Sequence, residues 1–86
     1  MPNISSFYGI IIWMFYADHQ PPHFHVEYGE YKAIGMIDTL ELTAGVLPRR
    51  ALSLVLEWAA LHRAELFTDW EQCRQKQKPQ KIPPLE

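Results

Sequence analysis

Apolar and polar positions change their spacing along the chain, and each change marks an element. Residues 7 to 16, FYGIIIWMFY, are apolar or aromatic almost without interruption. A run with no polar alternation predicts a strand covered on both faces, in the middle of a sheet. It is also too short to cross a bilayer as a helix, which takes roughly 20 residues. Residues 18 to 22 break the run. Pro21-Pro22 fixes two φ angles and removes two donors there, so neither a helix nor a paired central strand passes through. From 23 to 28 the side chains alternate, with His23, His25 and Glu27 on one face and Phe24, Val26 and Tyr28 on the other. This period of two predicts a half-buried strand. Gly29-Glu30 suits a two-residue hairpin turn, with glycine where positive φ is needed, leading into a third strand over 31–37. Asp38-Thr39 offers another turn before a short fourth strand at 40–42, and the meander closes at Gly45.

Beyond Gly45 the period lengthens. Pro48 suits the first turn of a helix, where its missing N–H has no helical partner, and RRALSLVLEWAALHRAEL follows without a breaker. Arg50, Ser53 and Glu57 form a polar stripe, while Leu52, Leu54, Val55, Leu56, Trp58, Ala59 and Leu61 cover nearly all the rest. So wide an apolar surface exceeds what one sheet face hides and predicts a second cover, either a later helix or another subunit. Leu66, Trp70 and Cys73, at i, i+4 and i+7, mark a second, amphipathic helix. Thr68 with Glu71 can form a capping box that separates it from the first; whether the helix breaks near residues 63–68 or runs on stays open. The tail from Lys76 is a flexible extension by composition unless Ile82 and Leu85 dock. The expected fold is α+β: an antiparallel meander of about four strands, with one long helix and a shorter C-terminal helix packed on it. One domain is expected over 1–78, followed by a Pro/Lys-containing tail at 79–86.

Composition narrows the field. A chain of 86 residues buries roughly 60–65% of its unfolded surface, enough for a single core. With 48% hydrophobic and 13% aromatic residues the core has ample material, which excludes a disordered chain. A net charge of −2 argues against general attraction to nucleic acid or anionic lipid, though a local basic patch is compatible with it. The lone Cys73 rules out an intramolecular disulfide and a cysteine zinc finger, and fits a reducing compartment. No cationic stretch of the secretory kind precedes residues 7–16. A cytoplasmic protein without a membrane role is expected.

The candidate chemistry lies in residues 18–29, DHQPPHFHVEYG, which hold three of the four histidines. In the plainest reading this is a solvated loop and a polar strand face. In a metal reading, His23 and His25 share one strand face roughly 7 Å apart at Cα, so their rings can converge on a zinc-like divalent ion. Asp18, His19 or Glu27 would complete the shell. No cofactor is dictated by the spacing alone. In a catalytic reading, two histidines near a phosphate move protons and cleave RNA through its own 2′-hydroxyl. His23 and His25 would be the proton carriers, supported by His19 and Arg49, with Arg50 beside Arg49 at an anion-favouring helix start. Asp18, Glu27 and Tyr28 would assist in binding, and Tyr16 and Tyr31 could stack or donate. A third reading is recognition: the apolar helix surface or a sheet edge holds a protein partner, and the histidines are incidental.

FYGIIIWMFYADHQPPHFHVEYGEY, GMIDTLEL, GVLPRRALSLVLEWAALHRAEL with the following Trp70, and the terminal KIPPL together resemble the bacterial family called domain of unknown function 4160. Asp18-His19-x-Pro21-Pro22-His23-Phe24-His25, followed by Leu47-Pro48-Arg49-Arg50-Ala51-Leu52, is the most specific part, and the resemblance covers almost the whole chain. It implies no established activity. It does imply one half of a two-gene unit similar to toxin–antitoxin pairs, beside a small protein of domain of unknown function 2442. By that resemblance the leading expectation is a toxin–antitoxin-like component acting on or near RNA through the histidine cluster. A His-based metal module and a non-catalytic oligomerising domain are the alternatives, and whether the protein is an enzyme is left open. A homodimer, or a heterodimer with a small partner protein, is expected. Two positions depart from the family pattern: Trp13 stands where a polar or basic residue is expected, and Gly35 interrupts the third strand. If the first strand of the family carries a positive charge to a site, Trp13 removes it here.

Overall fold

The computed structural model describes residues 2–86. Five strands form one antiparallel sheet in chain order: β1 (Asn3–Phe7), β2 (Ile10–Trp13), β3 (His23–Tyr28), β4 (Tyr31–Met36) and β5 (Leu42–Gly45). Two helices follow, α1 (Arg49–Leu61) and α2 (Arg63–Arg74). The α+β class is as expected, but the meander has five strands rather than about four. The apolar run at 7–16 is not one strand. It contains a tight turn at Tyr8-Gly9, where φ is +51° and +82°, so that Phe7 pairs with Ile10 across a two-residue loop. Positive φ at both central residues is the hairpin geometry that matches strand twist. The run is also covered on one face only. Ile10, Ile12 and Met14 are fully buried beneath the helices, whereas Ile11 and Trp13 are half-buried on the outer face.

β3 and β4 form the expected hairpin, with Tyr28 opposite Tyr31 and the turn at Gly29-Glu30. Phe24 and Val26 point into the core while His25 and Glu27 stay half-buried outside, so the alternation holds. Gly35 faces Phe24 closely. A Cβ there would stand 2.6 Å from the ring, so glycine is what lets the aromatic side chain lie across β4. The last strand begins later than expected, at Leu42. It ends at Gly45, where φ is +80° and a Cβ would meet the Lys32 carbonyl oxygen at 2.1 Å.

α1 starts at Arg49, just after Pro48, as expected. The helix does break, at His62 rather than at Thr68. Thr68 lies inside α2, where its hydroxyl donates to the Ala64 carbonyl 3.1 Å away, so it caps nothing. Ala51, Val55, Trp58 and Ala59 of α1 join Leu66, Trp70 and Cys73 of α2 in one core with the inner sheet face. The residues after α2 do not hang free. Gln80 N–H donates to Asp69 Oδ1 at 3.1 Å, Ile82 N–H to the Ile4 carbonyl at 2.8 Å, and the Trp58 indole N–H to the Pro83 carbonyl at 2.9 Å. Ile82 is buried and Leu85 packs on the core, so residues 77–86 form a strap from α2 to β1. Among the described residues no helix is long and apolar enough to cross a membrane.

Candidate functional site

The loop between β2 and β3 is pinned at both ends. Ala17 N–H donates to the Cys73 carbonyl at the end of α2 (2.9 Å), and Ile37 N–H to the Pro22 carbonyl (3.2 Å), which extends the β3–β4 ladder to the start of the strand. The Gln20–Pro21 peptide is cis. Held this way, the loop brings the Asp18 carboxylate over His23 and His25, whose rings share one strand face because they are two residues apart. His23 Nε2 lies 2.9 Å from Asp18 Oδ2 and His25 Nε2 lies 3.2 Å from the same oxygen. His19 engages the other oxygen: its backbone N–H donates to Asp18 Oδ1 at 2.8 Å and its Nδ1 stands 2.9 Å away. Side-chain exposure grades from 4% for His23 through 14% for Asp18 and 23% for His25 to 82% for His19.

His23 determines the chemistry of the cluster. Its Nδ1 lies 2.7 Å from the Pro21 carbonyl oxygen, which can only accept, so Nδ1 carries the proton and donates. In the neutral ring Nε2 is then a bare lone pair, aimed at a carboxylate oxygen that also has only lone pairs to offer. Two acceptors facing each other at 2.9 Å repel unless a cation joins them, either a second proton on His23 or a metal ion. A metal-binding histidine is ordinarily oriented in this way, with its second ring nitrogen donating to a backbone carbonyl. One ligand atom from each of Asp18, His23 and His25 can be chosen so that all lie within 4.8 Å of one another. Two imidazoles and a carboxylate suit zinc and its late first-row neighbours. Three protein donors leave a fourth position for water or substrate.

Packing fixes both rings. The His23 ring lies against Trp70 of α2 (centroids 5.1 Å apart), and His25 meets Phe15 edge-on at 4.2 Å. Burial works to raise the Asp18 pKa. Bonds from the His19 backbone N–H and from His25, attraction to His23 and its bond outweigh this, and hold the carboxyl below its ordinary value. His25 also borders a cleft of about 360 Å³ on the outer sheet face, with Trp13, Phe15, Glu27, Lys32 and Ile34 among its walls.

The fold thus joins four sequence candidates, Asp18, His19, His23 and His25. Glu27 points along the same face but lies beyond the cluster, on the cleft, and Tyr28 stacks on Tyr31 at the hairpin end. Arg49 and Arg50 are exposed and make no ion pair or hydrogen bond with the cluster among the described residues. The chain enters α1 from the end of the sheet where Val46 N–H bonds the Lys32 carbonyl, whereas His23 stands opposite Met36 at the other end. Sequence reasoning missed Trp70 and Phe15 as the walls of the site, since nothing local signals those contacts. A family model described as Domain of unknown function (DUF4160) matches residues 9–71. No curated protein and no solved structure matches the chain.

Proposed function

This chain belongs to the DUF4160 family, and from that premise and the geometry of its histidine cluster we propose that it is a divalent-metal-binding module. The ligands are His23 Nε2, His25 Nε2 and the Asp18 carboxylate, and zinc is the first candidate. The observation that carries the reading is the Pro21 carbonyl: by claiming the His23 Nδ1 proton it turns the Nε2 lone pair toward Asp18. A bound ion would polarise a water or an anionic oxygen at the open position. His19 is largely exposed and engages the other oxygen of Asp18, which would hold the carboxylate in place for an ion. Untagged protein analysed for metal is expected to contain close to one zinc per chain, and a chelator is expected to lower its melting temperature, because metal binding to the folded state alone adds to stability. Metal-free protein with no chelator shift would eliminate the reading.

A second reading replaces the ion by a proton. His25 is reachable from solvent while His23 is not, so the two histidines, bridged by one carboxylate oxygen, form an acid–base pair with one accessible member. On this reading the chain is a cytoplasmic, toxin–antitoxin-like component that uses the pair for proton transfer on RNA. Expression of the wild-type chain is then expected to slow growth, and the double variant His23→Ala, His25→Ala to relieve it. Equal inhibition by both would remove the histidines from that role.

A further inference from the structure

The outward positions of an antiparallel sheet with one covered face are ordinarily polar. Here Ile11, Trp13, Phe15 and Ile34 lie on the face away from the helices and stay half-buried, around the open cleft beside His25. The apolar region stops at β1, whose outward side chains, Asn3 and Ser6, are polar. It therefore spans β2 to β5, and its midline runs between β3 and β4. The ladder register sets two rows across it. Trp13, His25, Ile34 and Ala44 stand side by side in one row, and Ile11, Glu27 and Lys32 in the next. The first row is tall at Trp13 and low at the exposed Ala44, and both residues line the cleft. In the second row Glu27 and Lys32 are opposite one another across the strands, yet they form no ion pair among the described residues.

We infer that this face joins two copies of the chain about a two-fold axis that runs along the strands between β3 and β4. A two-fold interface must be complementary to itself, and both rows meet that condition. Rotation about the midline carries β2 over the β5 of the second copy and β3 over its β4, with the two sheets packed face to face and their strands aligned. Each Trp13 indole then enters the low side of the other cleft, against the partner's Ala44, and each His25 faces the partner's Ile34. Each Glu27 meets the partner's Lys32, twice per dimer, so charges left unpaired within one chain are paired between two. A large aromatic side chain seated in a pocket near the centre of an interface carries much of its affinity, and opposite charges fix its register. A second copy brings the matching shape and charge already. The interface does not depend on metal at Asp18, His23 and His25.

Sedimentation equilibrium of the full chain tests this. The wild type is expected to show a reversible monomer–dimer equilibrium. Glu27→Lys and Lys32→Glu are each expected to weaken it by about tenfold or more, because each sets like charges against one another at both contacts. An equimolar mixture of the two variants is expected to dimerise as the wild type does, since both contacts of the mixed dimer again join opposite charges. Mixing repairs a contact between chains but not one within a chain, so the recovery cannot come from Glu27 and Lys32 of the same molecule. Ala44→Trp changes an exposed position and is expected to leave the chain folded by circular dichroism but monomeric, because it fills the space that the partner's Trp13 needs. A wild type that stays monomeric at every concentration would overturn the inference and leave the face to a different protein or a small ligand. Undiminished dimerisation in the single variants, or a mixture no tighter than either of them, would overturn it as well.

Discussion

Replacing His23 with alanine is expected to abolish stoichiometric zinc binding and to destabilise even the metal-free protein by about 2–4 kcal/mol. Both losses come from one ring. Nε2 is the most buried of the three donors, and without it only His25 and the Asp18 carboxylate face the ion, too few to hold it tightly. Independently of metal, the ring fills space against Trp70 and donates to the Pro21 carbonyl. Its removal leaves a void and an acceptor stripped of its donor. His25→Ala separates the two effects. It also removes a ligand, but its side chain is partly exposed, so metal-free stability is expected to fall much less. Zinc content by elemental analysis, together with urea unfolding of the stripped proteins, checks both. If the two variants lose the same metal-free stability, His23 does not have the structural role assigned to it.

Asp69→Asn is expected to raise stability at neutral pH, by up to about 3 kcal/mol. Burial pushes the Asp69 carboxyl up to about 6 from an ordinary 3.8, helped by the charge of Glu65 and opposed by the bond from Gln80. A pKa raised in the folded state means that the unfolded chain ionises first as pH rises. Below about 3.8 the carboxyl is neutral in both states and costs nothing; between there and about 6 folding is progressively penalised, and above about 6 the penalty is complete. Asparagine keeps an oxygen for the Gln80 N–H and has no charge to bury. Urea midpoints of the two proteins are therefore expected to differ most above about pH 7 and to converge as pH falls below about 4. A gap that does not change with pH would mean that Asp69 does not titrate in this range.

The sequence made some of these features legible and hid others, for identifiable reasons. Alternation from His23 to Tyr28 and the glycine at 29 sufficed for the β3–β4 hairpin, and Pro48 for the start of α1, because each signal is local. Tyr8-Gly9 escaped notice because an aromatic residue and a glycine inside an apolar run do not look like a turn. The break at His62 has no marker of its own: no glycine or proline stands there and no side chain caps either helix. At the site, the period of two already placed His23 and His25 together. Asp18 was one of several possible completions, since only the folded Pro-Pro loop decides which side chain comes over the rings. Asp69 did have a sequence signal. It sits three residues after Leu66, inside the stripe that Trp70 and Cys73 continue, where a carboxylate is out of place.

The strap ties the two ends of the described chain together, through the Ile82 N–H and the Ile4 carbonyl. Nearly all other backbone pairing joins strands that are neighbours in sequence, the kind of contact that forms early because little chain must be ordered to make it. Closing the strap joins residue 82 to residue 4, across nearly all of the described residues. During synthesis the meander and helices can therefore assemble while β1 still lacks its last partner. A nascent chain at that stage exposes Ile4, the Trp58 indole N–H and the Asp69 carboxylate together, a transient surface that disappears once residues 77–86 have emerged from the ribosome and docked.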